Sequence, residues 1–242
     1  MTESLEGQVV VVLGGSSGIG LSTGRQARAA GARVILTGRN QERLDKAVAD
    51  VGAERGVALD LADPAQVEQL FAGLPDQLDH ILVSGSGPFY APIAEMDLDE
   101  VQRNIDEHIV GSLRLGRLCM GRVRAGGSLT FISGTGARRP GIGLVLAAIG
   151  TASLSAIVAN LALEIAPIRV NTVAAGFVDT PLSARLLGDQ LEERRADLRA
   201  TLPIRRVVGP DDVADLILHL MTNGALTGAT YDVDGGQQLL TR

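Results

Sequence analysis

The stretch Val9-Val10-Val11-Val12-Leu13-Gly14-Gly15-Ser16-Ser17-Gly18-Ile19-Gly20 decides how the rest of the chain is read. Its first five residues are all branched and apolar, with no polar alternation. Such a run fits a strand buried on both faces, as in a parallel sheet covered by helices. The glycines that follow permit tight backbone turns, and residues 18–30 read as a helix with Gly31 just past its last turn. A strand handing over to a helix in this way leaves free amides that favour a phosphate group. The spacing is G-x-x-x-G-x-G, a weak signal alone. Its place between first strand and first helix makes it a candidate dinucleotide site.

Working outward, short apolar runs continue to alternate with longer periodic stretches. Val34–Leu36 reads as a second strand, 41–51 as a helix, and Gly56–Leu59 as a third strand. Asp63 is then placed to cap a helix that has Pro64 at its first position. Ile81–Val83 is a fourth strand, followed by a long helix from about Asp99 to Met120. Ser128–Ile132, a helix over 146–165, Arg169–Val173, a helix over 211–222 and Thr230–Val233 complete the pattern. The expected fold is α/β: a Rossmann-type, doubly wound, mainly parallel seven-stranded sheet with helices on both faces. No repeat or linker divides it, so one domain over 1–242 is expected.

Composition narrows the function classes. Hydrophobic residues make up 45% of the chain and aromatics only 2%, so Val, Leu, Ile and Ala must build the core. A net charge of −6 argues against nucleic acid as a main partner. The basic runs at 122–124, 138–139, 194–195 and 205–206 read as solvated surface. A lone cysteine, Cys119, excludes an internal disulfide and lies in an apolar helical stretch, as a packed thiol does. No metal site is expected. The N-terminal residues show no signal peptide and no apolar run is read as a membrane span, so a cytoplasmic protein is expected.

Further short motifs fall in a recognisable order. They are Leu59-Asp60-Leu61, Ser84-Gly85-Ser86-Gly87, Ile168-Arg169-Val170-Asn171-Thr172-Val173 and Ala175-Gly176-Phe177-Val178-Asp179-Thr180. Asp212-Val213-Ala214, Leu226-Thr227-Gly228 and Asp232-Val233-Asp234-Gly235-Gly236 follow. With the glycine turn, these make the chain resemble the short-chain dehydrogenase/reductase family over nearly its whole length. The resemblance implies that Gly14, Ser16, Ser17, Gly18, Ile19 and Gly20 cradle a pyrophosphate. It implies that Asp60, with Leu61, meets the adenine, that Ser84, Gly85 and Ser86 border the ribose, and that Gly176, Val178 and Thr180 lie at the nicotinamide end. At the end of the second strand, Thr37-Gly38-Arg39 has glycine where an NAD-selecting acid would sit. Arg39 is suited to clamp a 2′-phosphate, so NADP(H) is expected over NAD(H).

The family's catalytic set is where this sequence departs. The serine position falls on Gly134, the tyrosine on Ala147, the lysine on Thr151 and the asparagine on His108. No register shift restores them. Lys46 is the only lysine, Tyr90 and Tyr231 are the only tyrosines, and no Tyr, Lys, Asp, Glu or His lies between Arg139 and Glu164. Loss of a positioned general acid costs about 10²- to 10⁴-fold in rate, while orientation of reactants remains available. Substitute candidates are His108, of the residue type that changes charge nearest neutral pH, and Tyr90, with Ser133 as a further hydroxyl. His80 and His219 read as packed.

The helix over 146–165 is apolar nearly all round, so a sheet on one side leaves a face for another subunit. Self-association as a dimer or tetramer is expected there, as the resemblance also implies. Residues 182–200 read as one amphipathic helix, and the resemblance implies that a segment of about 181–205 covers a small-molecule substrate. Two functions follow. One is an atypical NADP(H)-binding oxidoreductase without Tyr-x-x-x-Lys; the alternative is a non-catalytic or regulatory NADP(H)-binding homologue.

Overall fold

Val9–Leu13 forms β1, and all five residues are buried at the centre of a sheet. Residues 4–85 and 87–240 are described in this computed structural model. The other strands are β2 (Arg33–Gly38), β3 (Arg55–Ala58), β4 (Leu78–Val83), β5 (Val123–Gly134), β6 (Arg169–Ala175) and β7 (Thr230–Val233). They lie in the order β3-β2-β1-β4-β5-β6-β7, every neighbouring pair parallel. The seven-stranded parallel sheet expected from the sequence is therefore present.

The helices are α1 (Gly18–Ala29), α2 (Gln41–Val51), α3 (Pro64–Gly73), α4 (Leu98–Ile105), α5 (Gly111–Cys119) and α6 (Val145–Glu164). Towards the C-terminus follow α7 (Pro181–Leu187), α8 (Leu191–Thr201) and α9 (Pro210–Thr222). Alternate residues of β1 feed two cores. Val9, Val11 and Leu13 join side chains of α3, α5 and α6, while Val10 and Val12 join those of α1, α2 and α9. Each fully buried Val or Leu contributes roughly 1.5–3 kcal/mol, which is why an uninterrupted apolar strand belongs here.

Local signals behave as their chemistry dictates. Asp63 accepts from the amides of Ala65 (2.9 Å) and Gln66 (3.2 Å), which holds its carboxyl below the usual range. Cys119 is a buried free thiol, pushed up to about 12 by desolvation. His80 is also a packed residue: its ring spans Ser128 Oγ and Gln8 Oε1, both at 2.8 Å. Because the Gln8 oxygen only accepts, Nε2 carries the proton and Nδ1 accepts from Ser128.

Arg169 of the Arg-Val-Asn motif is buried, and among the described residues it forms no ion pair with a carboxylate. Its guanidinium donates to the carbonyls of Leu220 (2.5 Å) and Met221 (2.7 Å) in the last turn of α9 and to Gly126 (3.1 Å). A helix C-terminus is where a cation gains most from the helix dipole, and burial still lowers this group's pKa.

Two expectations change on inspection. The long helix expected over about 99–120 is interrupted by a π turn at Asp106–Val110. The 182–200 segment breaks between α7 and α8, where Gly188 takes φ +51. Among the described residues α6 is the one helix long and apolar enough to cross a membrane by length and composition alone, polar residues such as Ser153 and Asn160 notwithstanding. In the fold it packs on β6, burying Leu146, Leu154, Val158 and Leu161.

Candidate nucleotide and substrate site

The connections change direction between β1 and β4, and such a point in an open α/β sheet leaves a crevice at the strand C-termini. Gly14 enters it with φ +87, its amide donating to Thr37 Oγ1 at 3.1 Å. The Gly15 amide donates to the Thr37 carbonyl at 2.8 Å. A Cβ on Gly14 would stand 2.7 Å from both Gly85 Cα and Ser84 O. One on Gly20 would strike the Gly14 carbonyl, and one on Gly85 would strike Leu61. Gly14, Gly20, Leu61, Ser84 and Gly85 thus converge in a backbone cradle that side chains would fill. Ser86 lies outside the described residues.

Ser17 is extended at the N-cap of α1, and its side chain caps none of the helix amides. Those amides stay available to an anion. A Cβ on Gly18 would lie 3.4 Å from Thr180, so the loop after β6 reaches the glycine turn. Thr180 caps α7 through Ser183, and Ser183 Oγ donates to the Val178 carbonyl at 2.7 Å. Val178 is itself buried and bridges to Val208. Gly176 is crowded from the far side, where a Cβ would stand 2.6 Å from Gln237 Oε1.

The end of β2 lies against the glycine turn. Gly38 is buried, and a Cβ there would lie 2.8 Å from Ser16 Oγ and 2.9 Å from Ser16 Cβ. Arg39 follows, exposed and with no ion-pair partner among the described residues. Thr37 lies beneath the turn with its hydroxyl already engaged. Asp60 is exposed and accepts from the Ala62 amide at 3.1 Å.

The positions that carry catalysis in the resembling family do gather in space. Gly134 ends β5 opposite Ala175, and a Cβ on it would lie 3.6 Å from Thr151 Cγ2. Thr151 Oγ1 accepts from the Ala137 amide at 2.9 Å and lies 3.0 Å from the Ala147 carbonyl. Its hydroxyl proton and one of its two lone pairs thereby pin a 3-10 turn at Gly136–Arg138 to the first turns of α6.

His108 sits in the π turn that packs against α6, partly buried, and its carbonyl accepts from Ser112 Oγ at 2.6 Å. Tyr90 lies on the loop after β4, where the Ala91 amide donates to Gly143 O at 3.1 Å. Partial burial raises its pKa, making it a weaker acid than an ordinary tyrosine. Among the described residues, no hydrogen bond joins His108 or Tyr90 to the Gly134–Thr151 group.

Sequence reasoning missed the struts around this group. Arg138 pairs with both carboxylate oxygens of Asp232, at 2.7 and 2.5 Å. Arg195 of α8 does the same to Asp179, at 2.9 and 2.6 Å. Arg194 lies 5.9 Å over the Phe177 ring. The basic pairs 138–139 and 194–195, expected as plain solvated surface, instead tie three loops together. Charge alone carried no signal for these ties, because the groups reached across loops are 16 to 98 residues away.

Residues 14–238 match the family model described as enoyl-(acyl carrier protein) reductase. Among curated relatives, the cis-4-hydroxycyclohexanecarboxylate dehydrogenase of Sinomonas cyclohexanicum is 32% identical, covering 98% of each chain. Among solved structures, the MalC reductase/Diels-Alderase of Malbranchea aurantiaca superposes with a TM-score of 0.90 at 26% identity, covering 99% of each chain. A small-chain dehydrogenase in complex with NADPH gives 0.83 at 27% identity, covering 97% of this chain and 100% of its own. Sheet order, glycine cradle and sequence match agree: the chain belongs to the short-chain dehydrogenase/reductase family of oxidoreductases.

Proposed function

We propose that this protein is an NADP(H)-dependent reductase that works without the family's tyrosine–lysine proton relay, on a small organic acceptor needing no strong acid. The whole chain 1–242 acts as one dinucleotide-binding domain, with about 181–205 as the substrate cover. The observation that carries the reading is the Gly134–Ala147–Thr151 group, in which the only side-chain hydroxyl already gives its proton to the backbone. When bound, the nicotinamide supplies a hydride.

The chain's own residues do the rest. Gly14 to Gly20 and the uncapped start of α1 seat the pyrophosphate, and Gly85 leaves room beside them. Arg39 receives the 2′-phosphate, while the Ser16 side chain leaves no space for an acid at position 38. The NADPH-bound relative supports that choice. Acceptors that take a hydride without simultaneous protonation, such as an iminium or an activated alkene, suit this site. The name of the MalC relative, both reductase and Diels-Alderase, is consistent with a family site whose work is orienting reactants. His108 and Tyr90, with the Ser133 hydroxyl beside Gly134, are the candidate proton sources in the elements that border it.

A second reading, NADP(H) binding without turnover, is favoured by Leu146, which is fully buried beside Ala147. A fluorescence titration with NADPH and NADH, then stopped-flow oxidation of bound NADPH by carbonyl, imine and enone panels, separates the two. Oxidation by imines or enones supports the reductase. Tight binding with no oxidation anywhere supports the second reading, and rapid turnover of simple ketones overturns both. We also infer that the exposed apolar side of α6 (Val145, Ile149 and Leu163) pairs with a second copy of the chain.

A further inference from the structure

Two cavities border the C-terminal turn. The larger, about 400 Å³, is walled by Arg206, Asp212, Asp232 and Asp234, whose charges are already committed. Asp212 holds Arg206, Asp232 holds Arg138, and Asp234 accepts the Gly236 and Gln238 amides. It offers nothing to a ligand. The smaller, about 260 Å³, differs: its walls include Arg139, Arg194, Asp197, Leu198 and Leu240.

We propose that this smaller cavity, between α8, the segment after β5 and the C-terminal turn, binds the carboxylate of a small apolar acid. Two guanidiniums against one carboxylate leave one positive charge in the wall. Arg194 is neutralised by Asp197 at 2.6 Å and rests over Phe177, so the surplus belongs to Arg139. Among the described residues the Arg139 side chain makes one hydrogen bond, from Nη1 to the Gln237 carbonyl at 2.7 Å. That bond fixes the planar fork while leaving most of its five donors unused, the arrangement a carboxylate fits bidentately.

The rest of the lining brings apolar carbon from Leu240 and the nearly buried Leu198, beside Thr201 and Gln237. A volume of 260 Å³ lies just under the roughly 300–1,000 Å³ of drug-sized sites, and so suits a ligand of about ten heavy atoms. The cavity is also preformed. Its three walls are bolted by Arg138–Asp232, Arg195–Asp179 and the Phe177 amide donating to Gln237 Oε1 at 2.9 Å. Arg139 follows Gly134 by five residues, so the charge would anchor one end of a substrate whose reactive end points to the Gly134–Thr151 group. As a statement about substrate this rests on the reductase reading. As a binding site it stands on the cavity alone.

The test is calorimetric titration of the intact protein with cyclohexanecarboxylate and with cyclohexanecarboxamide, each with and without saturating NADPH. The acid is expected to bind at least about tenfold more tightly than the amide, the usual scale for a charged hydrogen-bond pair. Arg139→Gln is expected to erase that preference and Arg139→Lys to keep part of it, with NADPH affinity and the circular dichroism spectrum unchanged in both. Equal affinity for acid and amide in the unmodified protein overturns the proposal with no variant needed, as does a preference that survives Arg139→Gln. Acid selectivity in a protein that fails to bind NADPH upholds the cavity and overturns the reductase reading.

Discussion

At the scale of single residues, the end of β2 makes the sharpest statement. Replacing Arg39 with Gln is expected to weaken NADPH by at least about tenfold and leave NADH unchanged, measured as the ratio of their dissociation constants. An unchanged ratio would remove Arg39 from the site. His80 gives a prediction in pH. Burial, with Arg169 nearby, lowers it from 6.5 to about 3, so the native state keeps the ring neutral while the unfolded chain protonates it. Between these values the unfolded state binds more protons, so stability is complete above pH 6.5 and falls as pH drops towards 3. His80→Gln is expected to flatten that part of a melting-temperature profile, even though it lowers stability at neutral pH. The helix cap at Asp63 and the need for glycine at position 14 were legible because each depends on neighbours in sequence. The role of Thr151 was not, because the amide it accepts belongs to a turn whose position only the packed fold defines.

At the scale of elements, α8 is held to the loop after β6 chiefly by charged groups on its surface. Arg195 and Asp179 remain partly exposed, so Arg195→Ala is expected to leave the melting temperature nearly unchanged. It should instead speed amide exchange across Leu191–Thr201 several-fold, read by mass spectrometry. Exchange confined to the chain ends would show that the helix is held by other means. The order of strands and helices was readable from Val9 to Val233, since alternating apolar runs and periodic stretches are set by burial. The π turn at Asp106–Val110 was not readable: one extra residue in a helical turn leaves no mark on a periodicity spread over twenty. For the same reason the break at Gly188 was hidden inside one amphipathic stretch.

For the whole molecule, the uneven dress of α6 matters most. Leu154, Val158 and Leu161 face the sheet, while Ile149 is 46% and Leu163 79% exposed. The double change Ile149→Glu with Leu163→Glu is expected to yield monomers in sedimentation and a lower melting temperature at micromolar protein. An unaltered sedimentation coefficient would place any self-association elsewhere. The contact between Gly14 and Gly85 carries a last consequence. Two backbones pressed together across some seventy positions of chain mean that no early fragment owns a finished phosphate seat. During synthesis, therefore, the opening strand and its glycines must wait for the fourth strand to arrive, and on the proposed reading nucleotide capture becomes a late event, a sign that half the sheet has already assembled.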